Sequence, residues 1–353
     1  MEKTRPQGNT YTLWGGALSL YTGKVRSYLI KAGIPYREYY TVHPEYRERV
    51  LPVVRLGVAP ILETPEGHTV QDTTDIIECL EARHPATSMI PSTPIQRAVA
   101  WLINAFGSDG LLQASMHYRW SYVVEQRAWL LDEFGRFSST AGREQRRAAA
   151  GNFMGQMEAM LPLLGITPDT GSAIEASHQA LLAILDDHFL AHPYLLGGKP
   201  SIADFGLMAA MFGHLGRDPV PAQLMKLTAA NVYRWTERMN LAGSFEPEFP
   251  DTPDEYVPDD GIPATLEPLL RHIFHDWGPE LLASAAHYND WVRANQGLPV
   301  GSPPSLTPAR RSVHPMLGPV SYSYRGAEMT RRCAPQSLWH FGKSVRVADV
   351  FQG

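Results

Sequence analysis

The order of short patterned segments between residues 11 and 83 limits the fold of this chain more than any other feature. Tyr11-Thr12-Leu13-Trp14 is a run of aromatic and β-branched residues that stops at Gly15-Gly16, and it reads as a strand. A polar-tipped loop, Ala17-Leu18-Ser19, follows. Leu20, Tyr21, Val25, Leu29 and Ala32 then recur at helical spacing, and Gly33 stands where that helix should end. Ile34-Pro35 breaks the chain, and residues 36–41 read as a second strand. Residues 58–62 and 68–70 read as two more strands around the turn Pro65-Glu66-Gly67. Asp72-Thr73-Thr74-Asp75 opens a helix over residues 76–83, with the acid at the fourth place that a capping box uses. A β-α-β crossover followed by β-β-α predicts a four-stranded mixed sheet with helices on its faces.

Beyond that unit the pattern turns helical. His84-Pro85-Ala86-Thr87-Ser88 and Pro91-Ser92-Thr93-Pro94 form a Pro/Ser-rich linker. Residues 96–133 read as long helices, with Val99, Leu102, Ile103 and Phe106 spaced for one face. Residues 172–190, 202–214 and 231–240 read as further helices. Ser201-Ile202-Ala203-Asp204 is a capping box opening the second of these, and its role is folding. Residues 243–263 are acidic and Pro-rich and read as a long surface loop. Residues 265–294 return to helical pattern, and 297–323 are rich in Gly, Pro and Ser.

At 353 residues the chain can hold two domains with a well-buried core. A net charge of −5 gives no reason to expect nucleic acid or an anionic membrane as partner. The first ten residues lack the apolar core of a signal peptide. The most apolar run, residues 202–215, contains Asp204 and His214 and is too short to span a bilayer. Two cysteines, Cys79 and Cys333, make no disulfide framework, which suits a reducing, cytoplasmic location. Cys79 falls on the inner face of its helix and reads as packing. His272, His275 and Asp276 share a helix face, but no further ligand completes a metal set, so no metal site is predicted.

The first domain resembles the thioredoxin-like domain of the glutathione transferases. The residues that carry the resemblance are the loop Gly16-Ala17-Leu18-Ser19-Leu20-Tyr21 before Lys24-Val25-Arg26, the turn Val58-Ala59-Pro60, and Gln71-Asp72-Thr73-Thr74-Asp75-Ile76-Ile77. Leu195-Leu196-Gly197-Gly198-Lys199-Pro200-Ser201-Ile202-Ala203-Asp204-Phe205 is similar to that family's second domain. The resemblance implies an α/β thioredoxin-like N-terminal domain followed by an all-α helical-bundle domain. It divides the chain into a tail (1–10), a glutathione-binding domain (11–85), a helical substrate domain (92–242) and an extension packed on it (243–353). Family members reach the Ser-Ile-Ala-Asp helix sooner, so part of 121–170 is expected to be an insertion.

The resemblance also implies roles. Ser19 stands at the mouth of the first helix, where the family places the serine or cysteine that faces the glutathione sulfur. Lowering a thiol pKa from roughly 8.5 by two units needs about 2.7 kcal/mol of preference for the thiolate. A hydroxyl hydrogen bond backed by a helix N-terminus is a source of it. The alternative role is a helix N-cap alone. The family's earlier loop serine is here Gly16 or Ala17, so Tyr11 and Tyr21 stand as substitute hydroxyls. Ala59-Pro60 is expected to be cis and to present the Ala59 backbone to the cysteinyl unit. Thr73 offers its hydroxyl and free backbone N–H groups to the γ-glutamyl carboxylate, and Asp72 takes the ammonium. His43, Arg47 and Arg55 are candidates for the glycine carboxylate. Met116, His117, Tyr118, Arg119 and Trp120 are expected to line the acceptor pocket, with interhelical packing as the alternative. The implied activity is attack of glutathione thiolate on a small hydrophobic electrophile by a homodimer. The alternatives are a non-catalytic binding or scaffold protein, and a glutathione-dependent lyase, dehalogenase or isomerase.

Overall fold

The computed structural model describes residues 10–54, 57–138, 142–243, 247–294, 310–314 and 318–322. Arg55, Cys333 and residues 1–9 lie outside the described residues, as does most of the chain beyond 294.

Four strands, β1 (Tyr11–Gly15), β2 (Tyr36–Tyr40), β3 (Ile61–Glu63) and β4 (Thr69–Gln71), form one sheet in the order β2-β1-β3-β4. β1 runs parallel to β2, and the other two pairings are antiparallel. The parallel step is bridged by α1 (Leu20–Lys31), as a crossover requires. Gly33, at a φ of +65°, ends that helix where a side chain would be strained. β1 is central and buried on both faces. Tyr11 and Leu13 pack with α1 and α3 (Thr73–Arg83), while Trp14 packs on the other face with Tyr46, Val50 and Ile61. A π-helical turn (Tyr46–Val50) and the short α2 (Leu51–Val54) cover that second face. α3 starts at Thr73, three residues earlier than the pattern predicts, because Asp72 is itself the cap.

The second domain is helical, as the resemblance implies. α4 (Pro94–Ala105) runs through a π-helical turn (Phe106–Gly110) into α5 (Leu112–Trp120). α6 (Val123–Gly135) and α7 (Arg143–Glu158) form an antiparallel hairpin over α5, followed by α8 (Gly171–Ala191). α9 (Ile202–Gly213) is the central helix, buried along nearly its whole length against α1 and α4. α10 (Pro219–Thr228) and α11 (Ala230–Arg238) close the bundle.

Two local devices explain why α9 can be so deep. Asp204 accepts the Ser201 N–H (2.9 Å), the Ser201 hydroxyl (3.0 Å), the Leu195 N–H (3.1 Å) and the Trp235 indole N–H (3.2 Å), so its buried carboxylate is fully partnered. Gly107 and Gly206 let the π-helical turn and α9 touch backbone to backbone. A Cβ at Gly206 would stand 2.3 Å from the Asn104 Cα, and one at Gly107 2.4 Å from the Gly206 carbonyl carbon.

The 243–263 stretch is not a loose loop where it is described. The Asp260 carboxylate accepts the Ile95 and Gln96 N–H groups at 2.9 Å each and so caps α4. Gln96 donates to the Val257 (2.7 Å) and Gly261 (2.8 Å) carbonyls. Beyond it, α12 (Glu267–Asp276) buries Leu269 and Ile273 in the main core, and α13 (Gly278–Ala294) follows. The backbone of β5 (Arg310–His314) and β6 (Gly318–Tyr322) pairs as an antiparallel ribbon.

Candidate functional site

Strand register brings three loops to one end of the sheet. Trp14 pairs with Ile61, and Ile61 with Gln71. The loop after β1, the turn before β3 and the residue after β4 therefore meet there. These hold Ser19, Ala59-Pro60 and Asp72-Thr73, the three pieces read from the sequence.

Ser19 is the N-cap of α1. Its hydroxyl oxygen accepts the Thr22 N–H at 3.2 Å, and its own N–H donates to the Gly16 carbonyl at 3.1 Å. It is half-buried, and among the described residues its hydroxyl hydrogen has no acceptor. The two substitute hydroxyls are engaged. The Tyr11 hydroxyl, at the opposite end of β1, accepts from Arg83 Nε (3.0 Å) and is bonded to His84 Nε2 (2.9 Å). The Tyr21 hydroxyl donates to the Ser108 carbonyl at 3.3 Å.

The Ala59-Pro60 peptide is cis. Gln71 Nε2 donates to the Val58 carbonyl at 3.1 Å, which fastens this turn to the end of β4. Among the described residues the Ala59 N–H and carbonyl take no hydrogen bond, so an extended peptide has both groups available.

Asp72 adopts φ +81° and ψ 132°, a conformation that costs a residue with a side chain roughly 1–3 kcal/mol. Its Oδ1 accepts the N–H groups of Thr74 (2.8 Å) and Asp75 (3.4 Å). Thr73 is buried, and among the described residues its N–H and hydroxyl have no partner. Two donors at a helix N-terminus are a seat for a carboxylate. Behind them the Lys24 ammonium, wholly buried, donates to Ser108 Oγ at 3.1 Å. Burial lowers its pKa to about 8 against the pull of the Asp72 and Asp109 carboxylates. Lys24 entered the sequence reading only as part of a motif. Nothing local marks it as buried.

The glycine-carboxylate candidates differ in setting. The His43 ring packs on Trp14 and Tyr39, and its Nδ1 accepts the Glu45 N–H at 3.3 Å. Arg47 is exposed. The Cys79 thiol is half-buried, and burial raises its pKa, which makes a packing group of it.

All five residues expected to line the acceptor pocket are packed inside the helical domain. Met116 and Trp120 join the cluster beneath α6 and α7, where the Trp120 and Phe134 rings stack at 5.5 Å. His117 Nε2 is 2.8 Å from Glu175 Oε1, and Tyr118 stacks on Tyr122. Arg119 is 2% exposed and pairs with Asp218. The α6–α7 hairpin covers Met116 and Trp120, α8 meets His117 and Tyr118, and the corner between α9 and α10 takes Arg119. The Ser19 loop is met at Gly16 by the rings of Phe137, just after α6, and Tyr40. A Cβ on Gly16 would stand 2.4 Å from the Phe137 ring, which also meets the Tyr40 ring edge-on at 4.9 Å. The sequence carries no signal for that contact.

Residues 13–88 match the family model of the glutathione S-transferase N-terminal domain. The first domain is of the glutathione S-transferase N-terminal type. Solved structures similar to part of this chain include a glutathione S-transferase from Rhodospirillum rubrum, at 18% identity, covering 73% of this chain and 99% of that one with a TM-score of 0.41. Another, from Methylobacterium radiotolerans and complexed with glutathione sulfonate, is 19% identical over 72% of this chain and 100% of that one, at a TM-score of 0.38. A third, the beta-etherase LigF from Sphingobium sp., is 16% identical over 67% of this chain and 96% of that one, at 0.41. No curated protein matches the sequence. Among the described residues no helix is long and apolar enough to cross a membrane, and no three His, Cys, Asp or Glu side chains gather as a metal site.

Proposed function

We propose that this glutathione S-transferase-type chain binds glutathione at the shared sheet end and activates its thiol for attack on a small hydrophobic electrophile. The observation that carries the proposal is the set of groups there that no described residue pairs: the Ser19 hydroxyl hydrogen, the Ala59 backbone and the Thr73 N–H and hydroxyl. Each matches one part of the tripeptide. Thr73 takes the γ-glutamyl carboxylate, Ala59 pairs with the cysteinyl backbone, and Ser19 donates to the sulfur. Asp72 takes the γ-glutamyl ammonium while its side chain also holds the start of α3.

Catalysis on this proposal is thiolate stabilisation plus juxtaposition of two reactants. Serine, unlike cysteine, holds a thiolate without joining it in a disulfide. The acceptor side is formed by Phe137 and Tyr40, whose rings suit an apolar aromatic electrophile. The family also suggests a homodimer, a cytoplasmic location and the 11–85, 92–242 and 243–353 division. Sedimentation tests the first of these. A non-catalytic binding protein is favoured by one observation, the Phe137 ring seated at Gly16 where a substrate has to approach. Calorimetric titration of the whole chain with glutathione, followed by turnover of an aryl halide, decides between them. Binding with turnover supports the enzyme, binding alone supports the binding protein, and no binding refutes both.

A further inference from the structure

We infer that Arg119 is a positioning residue for the Ser19 loop, holding the Leu18 carbonyl through a guanidinium whose every N–H is already spoken for. Arg119 sits on α5 and is buried. Its Nε donates to Asp218 Oδ2 at 2.6 Å and its Nη2 to Asp218 Oδ1 at 2.7 Å. Nη2 also donates to the Gly213 carbonyl at 3.1 Å. Nη1 donates to His214 Nε2 at 2.5 Å and to the Leu18 carbonyl at 2.9 Å. A guanidinium has five N–H donors, and all five are used. Four of them go to the end of α9 and the start of α10, and the fifth crosses to the first domain. Four bonds to two packed helices leave the plane no freedom, so the Leu18 peptide is set by the second domain.

The surrounding groups fit a neutral, rigid anchor. The ion pair cancels its own charge. Arginine can only donate, so His214 Nε2 is the acceptor and Nδ1 carries the proton, which it gives to the Ser115 carbonyl at 3.2 Å. Burial and the adjacent guanidinium hold His214 well below its usual pKa, in keeping with that neutral form. The same helix end also presses on the loop directly. A Cβ on Gly213 would stand 2.7 Å from the Leu20 Cα. Ser19 follows Leu18 immediately, so its hydroxyl direction depends on the peptide that Arg119 holds. A lysine has three donors on a flexible stem and cannot reproduce the fork.

This inference rests on the proposed thiol chemistry only for its kinetic consequence, and the loop geometry is tested separately. The test compares the wild type with an Arg119→Met/Asp218→Leu double variant, which leaves no unpaired buried charge. Arg119→Met/Asp218→Asn, which also leaves no unpaired buried charge, replaces it if the first double variant does not fold. Hydrogen exchange over residues 15–24 is expected to quicken by about tenfold or more while exchange in α8 stays the same. With glutathione and an aryl halide, kcat is expected to fall by about tenfold or more with the KM for glutathione within about twofold, because a misplaced hydroxyl affects the reacting geometry more than tripeptide docking. Unchanged exchange over 15–24 in a folded variant overturns the inference, whatever the kinetics show. Faster exchange with an unchanged kcat overturns it as well. If the wild type binds no glutathione, the proposed function fails, and the exchange data alone decide whether Arg119 positions the loop.

Discussion

Ser19→Ala removes one oxygen that does two jobs, and the two losses have different signatures. As an N-cap, Ser19 accepts the Thr22 N–H at 3.2 Å, and its loss should lower stability by about 1 kcal/mol. As a thiolate partner it would supply one hydrogen bond to a charged acceptor, about 1.5–3 kcal/mol, which is about one to two units of thiol pKa. A thiol held near 6.5 in the wild type would then titrate near roughly 8. The kcat/KM loss should be about 10-fold to 100-fold below pH 6.5 and should largely disappear near pH 9, where either enzyme holds mostly thiolate. Ser19→Gly separates the jobs, since glycine at an N-cap costs only a few tenths of a kcal/mol. It should keep stability and lose activity as Ala does, while Ser19→Thr should keep both. The measurements are a pH profile of kcat/KM with glutathione in excess and a urea melt of each variant. A wild-type pH profile in both Ser19→Ala and Ser19→Gly would refute the thiol assignment and leave Ser19 as a cap alone.

Thr73→Val keeps the shape of the side chain and removes a buried hydroxyl that has no partner among the described residues. It should raise the glutathione dissociation constant by about 10-fold, a loss of roughly 1.4 kcal/mol, with melting unchanged or improved; calorimetry reads the first and a thermal scan the second. Gly206→Ala should cost about 3 kcal/mol or prevent folding, because its new methyl meets the backbone of Asn104 at 2.3 Å, which no rotamer change relieves; circular dichroism on heating checks it. His178 is buried with neither ring nitrogen bonded to a described residue, and burial together with His272 and His117 lowers its pKa to about 4. Between pH 6.5 and about 4 the unfolded chain binds this proton and the folded chain does not, so stability is full above 6.5 and falls as pH drops through that window, by about 3 kcal/mol at most from this group. Urea midpoints at pH 7.5 and 5 should show the fall, and His178→Phe should reduce it; an equal fall in that variant would show that other groups cause it.

What the sequence alone determined are the features whose partners lie within a few residues. The Ser201 and Asp204 box, the Gly33 stop after α1, the aromatic and β-branched run of β1 and the spacing of Val99, Leu102, Ile103 and Phe106 are all local, and each appears in the fold where the pattern placed it. The Asp72 and Ser19 caps were legible for the same reason, since a cap needs only its neighbours, whereas the cis Ala59-Pro60 peptide was expected from the family resemblance. The tertiary structure decided the rest. Arg119 was expected either to line the acceptor pocket or to pack between helices, and its acceptors lie 94 to 101 residues away. Phe137 meets Gly16, and Asp260 caps α4, through contacts that no periodicity encodes. A long polar or aromatic side chain accepts many partners, and the packing of α9 between the domains chooses among them. Helix and turn types depend on near neighbours, whereas a side chain's role depends on which distant backbone the core brings beside it.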